Sequence, residues 1–182
     1  DASLLVGAEA WSGFLAAMDT QPGAKEMLRQ RADVWLAGQP PTVVTDKLHP
    51  AISGDPHDYV SMPPYLWPNP QDKDGLPWKP RDGEVNPLFY EYDNAKFEKL
   101  CTAVTDLVLH ARVAGSARHA ARAGTFLRAW FLDPETSMNP LLQFAQSIPG
   151  QATGSAGGII DTTSLIFLLY LVERLPFNEN WT

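Results

Sequence analysis

Four aromatic side chains stand close together in a proline-rich segment between Pro56 and Asn86. They are Tyr59, Tyr65, Trp67 and Trp78. Aromatic faces stack on the apolar C–H faces of sugar rings, and the polar tips of Tyr and Trp can hydrogen-bond sugar hydroxyls. The alternative is that the rings only pack the segment onto neighbouring helices, and this alternative is strongest for Trp78. We therefore interpret Tyr65 and Trp67 as candidate carbohydrate contacts.

Two further residues of this segment carry groups suited to an acidic ligand or to proton transfer. Arg81 has the two-pronged donor geometry that can clamp a carboxylate. Its alternative role is an ion pair with Asp82 or Glu84 that fixes the loop. His57 precedes Asp58, so the imidazole could be a base oriented by a carboxylate. A histidine in such a turn is more often structural.

A second polar group follows near residue 140. Asn139, Gln143 and Gln146 carry neutral amides, which both donate and accept hydrogen bonds and so suit sugar hydroxyls and carboxylates. A short helical turn predicted from Leu141 to Gln146 would place the two glutamines on one face. The alternative is that Asn139 caps this turn and the glutamines are solvated. The run GSAGG at 154–158 lacks the spacing of a phosphate loop and predicts a flexible connection.

Composition excludes several classes of function. The formal charge of −7 argues against general nucleic-acid binding, which needs a basic face, although a few cations in a cleft can still bind an anion. No apolar run reaches the length of a membrane span. Cys101 is the single cysteine, which excludes an intrachain disulfide and a cysteine-based zinc site. No cluster of metal ligands is visible, so we expect no metal and no cofactor.

Helical periodicity predicts the elements that position these residues. Helices are expected over residues 3–18, 24–38, 93–115, 117–132 and 161–175. Between Pro40 and Pro87 the density of prolines excludes regular helices and central strands. The predicted class is therefore all-α. Antiparallel helix pairs joined alternately by short and long connections are typical of an α/α toroid, with a helix bundle or an α-solenoid as alternatives.

The last predicted helix is apolar nearly all round, which is typical of a helix buried on most sides. The predicted helices are also too few to close a ring. We therefore expect an incomplete toroid in which residues 1–182 form the N-terminal portion of a single domain. A second chain or a C-terminal fragment would complete it.

Several ordered motifs resemble the alginate lyase superfamily of helical-barrel polysaccharide lyases. They are HDYVSMPPYLWPNP at 57–70, GLPWKPRDGEVNP at 75–87, LRAWFLDPETSMNPLLQFAQSIPG at 127–150 and GIIDTTSL at 158–165. The resemblance implies a toroid whose cleft binds an acidic uronate polymer and cuts it by β-elimination. It also implies a secreted or periplasmic protein that acts on acidic polysaccharide and needs no metal, with neither nucleic acid nor membrane as a partner.

In that superfamily the central catalytic group is an Asn-His pair followed by a Tyr and an Arg. This chain contains no Asn-His dipeptide, so the principal base and acid are expected outside it. His57 and Tyr59 match the motif and are candidate contributors to the proton transfers. The resemblance implies that six residues form the wall of the cleft. These are Tyr65, Trp67, Arg81, Asn139, Gln143 and Gln146.

Two alternatives to a lyase stay open. A non-catalytic carbohydrate-binding helical domain would bind the polymer without forming a product. A glycoside hydrolase on the same scaffold would use paired carboxylates. Asp58, Asp82 and Asp161 are available for that role, but their spacing does not single out a pair.

Overall fold

The computed structural model describes residues 8–173 and residue 175 of the chain. Five α-helices lie in this part: α1 (Ala8–Thr20), α2 (Ala24–Asp33), α3 (Asp93–Ala114), α4 (Ala117–Phe131) and α5 (Thr163–Val172). Short 3-10 helices occupy Val34–Leu36, Pro87–Glu91 and Ala156–Thr162. Two strands, β1 (Leu66–Trp67) and β2 (Lys79–Pro80), pair antiparallel. The predicted all-α class is confirmed.

The observed elements differ from the predicted ones mainly at their ends. The second predicted helix ends as an α-helix at Asp33 and continues as a 3-10 turn, and Gly38 beyond it adopts a left-handed φ of 79°. The last predicted helix begins as an α-helix at Thr163, two residues later than predicted, directly after the 3-10 helix Ala156–Thr162. Residues 3–7 and 174, which were predicted to be helical, lie outside the described residues.

The helical turn predicted from Leu141 to Gln146 is wrong. This segment is irregular, and Phe144 forms an isolated parallel bridge with Val60. Gln146 has a φ of 55°, and its backbone N–H donates to the hydroxyl of Ser61 at 2.7 Å. Hydrogen bonds to a distant segment therefore override the local helical preference.

The described residues form two compact units. The first consists of residues 8–40, 99–129, 164–173 and 175, and the second consists of Pro41–Glu98 and Trp130–Thr163. The long α3 begins in the second unit and continues in the first. The prediction of a single domain stays a prediction.

The first unit is packed around one face of α3. Leu100, Val104, Leu107 and Val108 are fully buried at the i, i+4, i+7 and i+8 spacing of a helix face, as the helical periodicity over residues 93–115 predicts. A polar anchor holds the end of α2 beside this core. The buried Asp106 accepts hydrogen bonds from Nε of Arg31 at 2.9 Å and from Nε1 of Trp35 at 3.0 Å.

Two buried histidines lie side by side in the same unit. His119 contacts the carboxylate of Asp33 through Nε2 at 3.0 Å and the hydroxyl of Ser116 through Nδ1 at 2.7 Å. The ring of His110 lies 4.4 Å from the ring of His119, and its Nδ1 has no hydrogen-bond partner within the described residues. Burial, reinforced by His119, lowers the pKa of His110 below its usual value.

We expect acidification from about pH 7 to pH 5 to destabilise the protein through His110. Its folded-state pKa lies below the unfolded value, so the unfolded chain binds more protons in this range and the free energy of unfolding falls as the pH falls. Urea unfolding at several pH values, compared between wild type and His110→Phe, measures this. The wild type should lose more stability than the variant, and equal losses would contradict the assignment.

The second unit consists mostly of irregular segments around a small apolar core. Ala51, Val60, Met62, Tyr92 and Phe144 form this core, and Trp78 and Leu88 pack against it. The packing of Trp78 agrees with the alternative given for it above. Its backbone N–H also donates to the side-chain oxygen of Gln151 at 2.9 Å.

A buried ion pair joins these irregular segments to the start of α3. The Nζ of Lys47 lies 2.5 Å from the carboxylate of Asp93 and donates to the carbonyl oxygen of Asp58 at 2.8 Å. The Asp93 carboxylate also accepts from the backbone N–H of Val60 at 3.0 Å. Burial is the main cause that lowers the pKa of Lys47, and Asp93 opposes it. The pair fixes where the segment at 57–62 runs, and this segment carries part of the candidate site.

Candidate functional site

The strands β1 and β2 present an aromatic and cationic surface. The guanidinium carbon of Arg81 lies 4.6 Å from the centre of the Trp67 ring. The indole N–H of Trp67 donates to the carbonyl oxygen of Glu84 at 2.9 Å, and the backbone N–H of Arg81 donates to the carbonyl oxygen of Tyr65 at 2.8 Å. Tyr65 is 44% exposed and the Arg81 side chain 43%. The structure therefore brings these three predicted residues together.

The geometry bears on both roles considered for Arg81. Its Nη1 lies 3.6 Å from the carboxylate of Glu84, and this side chain is 64% exposed. An exposed ion pair at that distance contributes little to stability, so it leaves the guanidinium available to an incoming carboxylate. Since Arg81 already covers one face of Trp67, a sugar ring can stack there only if the guanidinium moves. The surface therefore combines an aromatic ring with a cation that lies against it.

A second group gathers around Asp161, which lies at the end of the Ala156–Thr162 helix. One carboxylate oxygen of Asp161 accepts from the side-chain amide of Gln146 at 2.8 Å. The other accepts from the hydroxyl of Ser61 and from the hydroxyl of Tyr59, the latter at 3.2 Å. The half-buried Gln146 is therefore held by residues from two other segments of the second unit.

Tyr59 lies beneath this group rather than at its surface. Its residue is 2% exposed, and its ring packs edge-on against Phe97 at 6.4 Å. Burial, together with the negative charge of Asp161, raises the pKa of the Tyr59 hydroxyl well above its usual range. A buried hydroxyl that holds its proton so firmly is poorly suited to donate it, so the geometry favours a structural role for Tyr59.

His57 is oriented by a different partner from the one suggested by the sequence. Its Nδ1 lies 2.6 Å from the carbonyl oxygen of Ser137, which can only accept, so in the neutral ring the lone pair lies on Nε2. Asp58, the predicted partner, instead accepts from Ser53 at 2.6 Å and from the side-chain amide of Asn139 at 2.7 Å. A neutral His57 with Nε2 as acceptor is still a candidate base.

Asn139 ties two irregular segments together. Its side-chain nitrogen donates to Asp58, as above, and to a carboxylate oxygen of Asp55 at 3.1 Å, while its backbone N–H donates to the carbonyl oxygen of His57 at 2.9 Å. The amide nitrogen is therefore occupied within the protein. A substrate contact would have to use the side-chain oxygen.

Gln143 does not share a face with Gln146, because the segment between them is not helical. Gln143 is exposed and lines a cavity of about 410 Å³ with residues of 154–159. A cavity of about 720 Å³ is lined by residues 49–52 and 147–154 together with Val60, Tyr92 and Phe144. Its lining contains none of the predicted site residues.

The described residues contain no group of three or more His, Cys, Asp or Glu side chains placed to hold a metal ion. None of their helices combines the length and apolarity that a membrane span requires.

Comparison with known families gives a match to the alginate lyase family over residues 43–178, which is most of the chain. The chain belongs to the alginate lyase family. Among solved structures, an alginate lyase from Bacteroides ovatus is similar, with 37% identity and a TM-score of 0.89. The match covers 97% of this chain and 47% of that one, so the chain spans about half the length of that lyase. A search of curated proteins finds no match.

The similarity to an alginate lyase structure confirms the predicted fold class, an incomplete α/α toroid. Ser61 is not among the site residues predicted from the sequence, and Asp161 is predicted there only as a candidate hydrolase carboxylate. The signal that could have found it is its position inside the GIIDTTSL motif, next to the motif that carries Gln146.

Proposed function

We propose that this chain forms part of the substrate cleft of a polysaccharide lyase that cleaves alginate or a related polyuronate by β-elimination. The observation that carries the proposal is the contact between the exposed Arg81 and the half-buried Trp67, beside the exposed Tyr65. A uronate ring offers an apolar face and a carboxylate together, and this surface offers an aromatic body and a guanidinium together. The family match supports the same reading.

The proposed reaction assigns each group a role. Removal of the C5 proton places negative charge on the adjacent carboxylate, so a cation or a hydrogen-bond donor held there lowers the barrier. Arg81 binds the carboxylate of a uronate ring other than the one that loses its C5 proton, and Tyr65 and Trp67 contact sugar rings. Gln146 supplies amide hydrogen bonds, and Nε2 of His57 is a candidate proton acceptor. Asn139 and Gln143 complete the proposed contacts.

The principal base and acid are proposed to lie in residues outside this chain. The exposed side of α5 supports the presence of further polypeptide that packs against it, because Ile166, Phe167 and Leu169 are 64%, 50% and 55% exposed in a helix of strongly apolar composition. We propose that a second chain or a C-terminal segment covers it and completes the toroid, of which residues 1–182 form the N-terminal portion. The proposed location is secreted or periplasmic, and the proposed reaction needs no cofactor.

We expect the polypeptide that contains this chain to release an unsaturated uronate, detected by its ultraviolet absorbance, when alginate is added. Arg81→Gln should raise KM about tenfold with little change in kcat, because a charged hydrogen bond to bound substrate is lost in both ground and transition states. The matched control is Arg112→Gln, which removes an exposed arginine of α3 in the first unit. Steady-state kinetics on alginate and on other polyuronates measure both.

Three outcomes would overturn the proposed function. An absence of unsaturated product from every polyuronate would exclude a lyase. Saturated product carrying an oxygen atom from water would favour the hydrolase. Polymer binding without any product would favour a non-catalytic carbohydrate-binding domain.

A further inference from the structure

The backbone of Gln146 is fixed in a conformation that is uncommon for a residue with a side chain. Its φ of 55° lies in the left-handed region, which is rare outside glycine and is kept where the surroundings enforce it. Two consecutive backbone N–H groups, of Gln146 and Ser147, donate to the hydroxyl and to the carbonyl oxygen of Ser61, both at 2.7 Å. Ser61 is fully buried. The turn at Gln146 is therefore fixed by hydrogen bonds to the buried Ser61.

The turn is also packed closely against the segment that leads to Asp161. A Cβ built on Gly154 would lie 2.0 Å from the carbonyl oxygen of Gln143, and one on Gly158 would lie 2.5 Å from the Cβ of Ala145. The backbone N–H of Ser155 donates to the carbonyl oxygen of Ala145 at 2.9 Å. Residues 154–158, which lead to Asp161, therefore pack directly against the backbone of residues 143–145 and fix the turn before Gln146.

The two carboxylate oxygens of Asp161 have different partners. Oδ2 accepts from Ser61 and Tyr59, which anchors the carboxylate to buried hydroxyls. Oδ1 accepts from Nε2 of Gln146 at 2.8 Å. A carboxylate only accepts hydrogen bonds, so it selects one of the two orientations of the amide. The nitrogen faces Asp161, and the amide oxygen is presented on the other side.

We propose that Asp161 is a positioning residue, which fixes the side-chain amide of Gln146 in the orientation that contacts the substrate. This proposal rests on the proposed lyase function. Asp161 does not touch the polymer in this role. It excludes the flipped orientation of the amide and restricts the rotamers of Gln146 before the substrate binds. Less side-chain entropy is therefore lost on binding. The expected consequence is on substrate affinity rather than on the chemical step.

A double-mutant cycle in the complete lyase polypeptide tests the proposal. Asp161→Ala should raise KM for alginate about tenfold and change kcat less than about threefold, and Gln146→Ala should do the same. The double variant should raise KM no further than Gln146→Ala alone, because one contact is removed by either change. Ser147→Ala is the control, since it removes a neighbouring 2.8 Å hydrogen bond to Ser61 without touching the amide of Gln146, and KM should not change.

The outcomes separate this proposal from the proposed function. An active wild type in which Asp161→Ala leaves KM unchanged, or in which the two changes multiply, overturns the positioning role and leaves the lyase standing. A wild type that cleaves no polyuronate overturns both.

A second measurement keeps the proposal testable if Asp161→Ala does not fold. Heteronuclear NMR relaxation of side-chain amides reports their mobility directly in the wild type. The amide of Gln146 should be as rigid as the backbone, while that of the exposed Gln143 serves as the mobile reference. Equal mobility of the two amides would overturn the proposal.

Discussion

Replacing Lys47 with methionine is expected to lower the free energy of unfolding by about 3 kcal/mol. The side chains of Lys47 and Asp93 are only 7% and 3% exposed, and their charged atoms lie 2.5 Å apart. Removing the lysine leaves the Asp93 carboxylate buried without its closest cation. The expected loss lies at the lower end of the range for breaking a buried pair, because Lys96 stays 3.2 Å from the other carboxylate oxygen. Urea unfolding measures it.

Two further variants test that explanation. Lys25→Met breaks an ion pair with Asp19 whose side chains are 55% and 67% exposed, and it should cost less than about 1 kcal/mol. Adding Asp93→Asn to Lys47→Met should restore part of the lost stability, because the uncompensated charge is removed. Equal losses from Lys47→Met and Lys25→Met would show that the buried pair does not stabilise the second unit.

Gly154→Ala is expected to destabilise the protein by about 3 kcal/mol, the upper end of the cost of overpacking. The new methyl group would meet the backbone at Gln143 and Phe144, with atoms at 2.0 and 2.9 Å. Backbone cannot rotate away as the end of a long side chain can. We therefore expect the turn before Gln146 to be displaced, with a loss of the proposed lyase activity beyond the loss of folded protein.

The matched control for this change lies three residues away. A Cβ on Gly157 would meet only the hydroxyl oxygen of Ser155, at 3.2 Å. Gly157→Ala should therefore cost less than about 1 kcal/mol, within the range of ordinary surface changes. Thermal unfolding of both variants, together with the rate of the proposed lyase reaction per folded molecule, tests this difference. Similar effects at Gly154 and Gly157 would contradict the close packing.

The helices were predictable because their signal is local. The buried face of α3 repeats within each turn of the chain, and the end of α3 is marked by Gly115, which adopts a left-handed φ of 66°. The irregular segments carry no such signal. The run GSAGG was expected to be a flexible connection, yet Gly154 and Gly158 pack tightly and a 3-10 helix begins at Ala156. Small residues are compatible with a flexible connection and with close packing. Here the backbone of residues 143–145 lies against Gly154 and Gly158, so the run is closely packed.

The candidate site was predictable where residue type alone carries the chemistry. Trp67 and Arg81 were singled out as an aromatic ring and a cation in one segment, and the structure places them in contact. Partners were not predictable, because they come from distant parts of the chain. The nearest carboxylate in sequence to His57 is Asp58, but Ser137, 80 positions away, orients the ring. Asp161 lies in the GIIDTTSL motif, but its neighbours in the sequence do not identify the three groups that it holds.

The anchoring of Asp161 has a consequence for how the second unit is assembled. Its bond to Ser61 joins residues 100 positions apart, and that to Tyr59 spans 102. Contacts so distant are reached only after a long loop has closed, which makes folding slow. On a ribosome, the segment around Ser61 emerges well before its partner is synthesised. Until then its polar and aromatic groups are open to water and to other chains, so this is the period in which a chaperone would matter most.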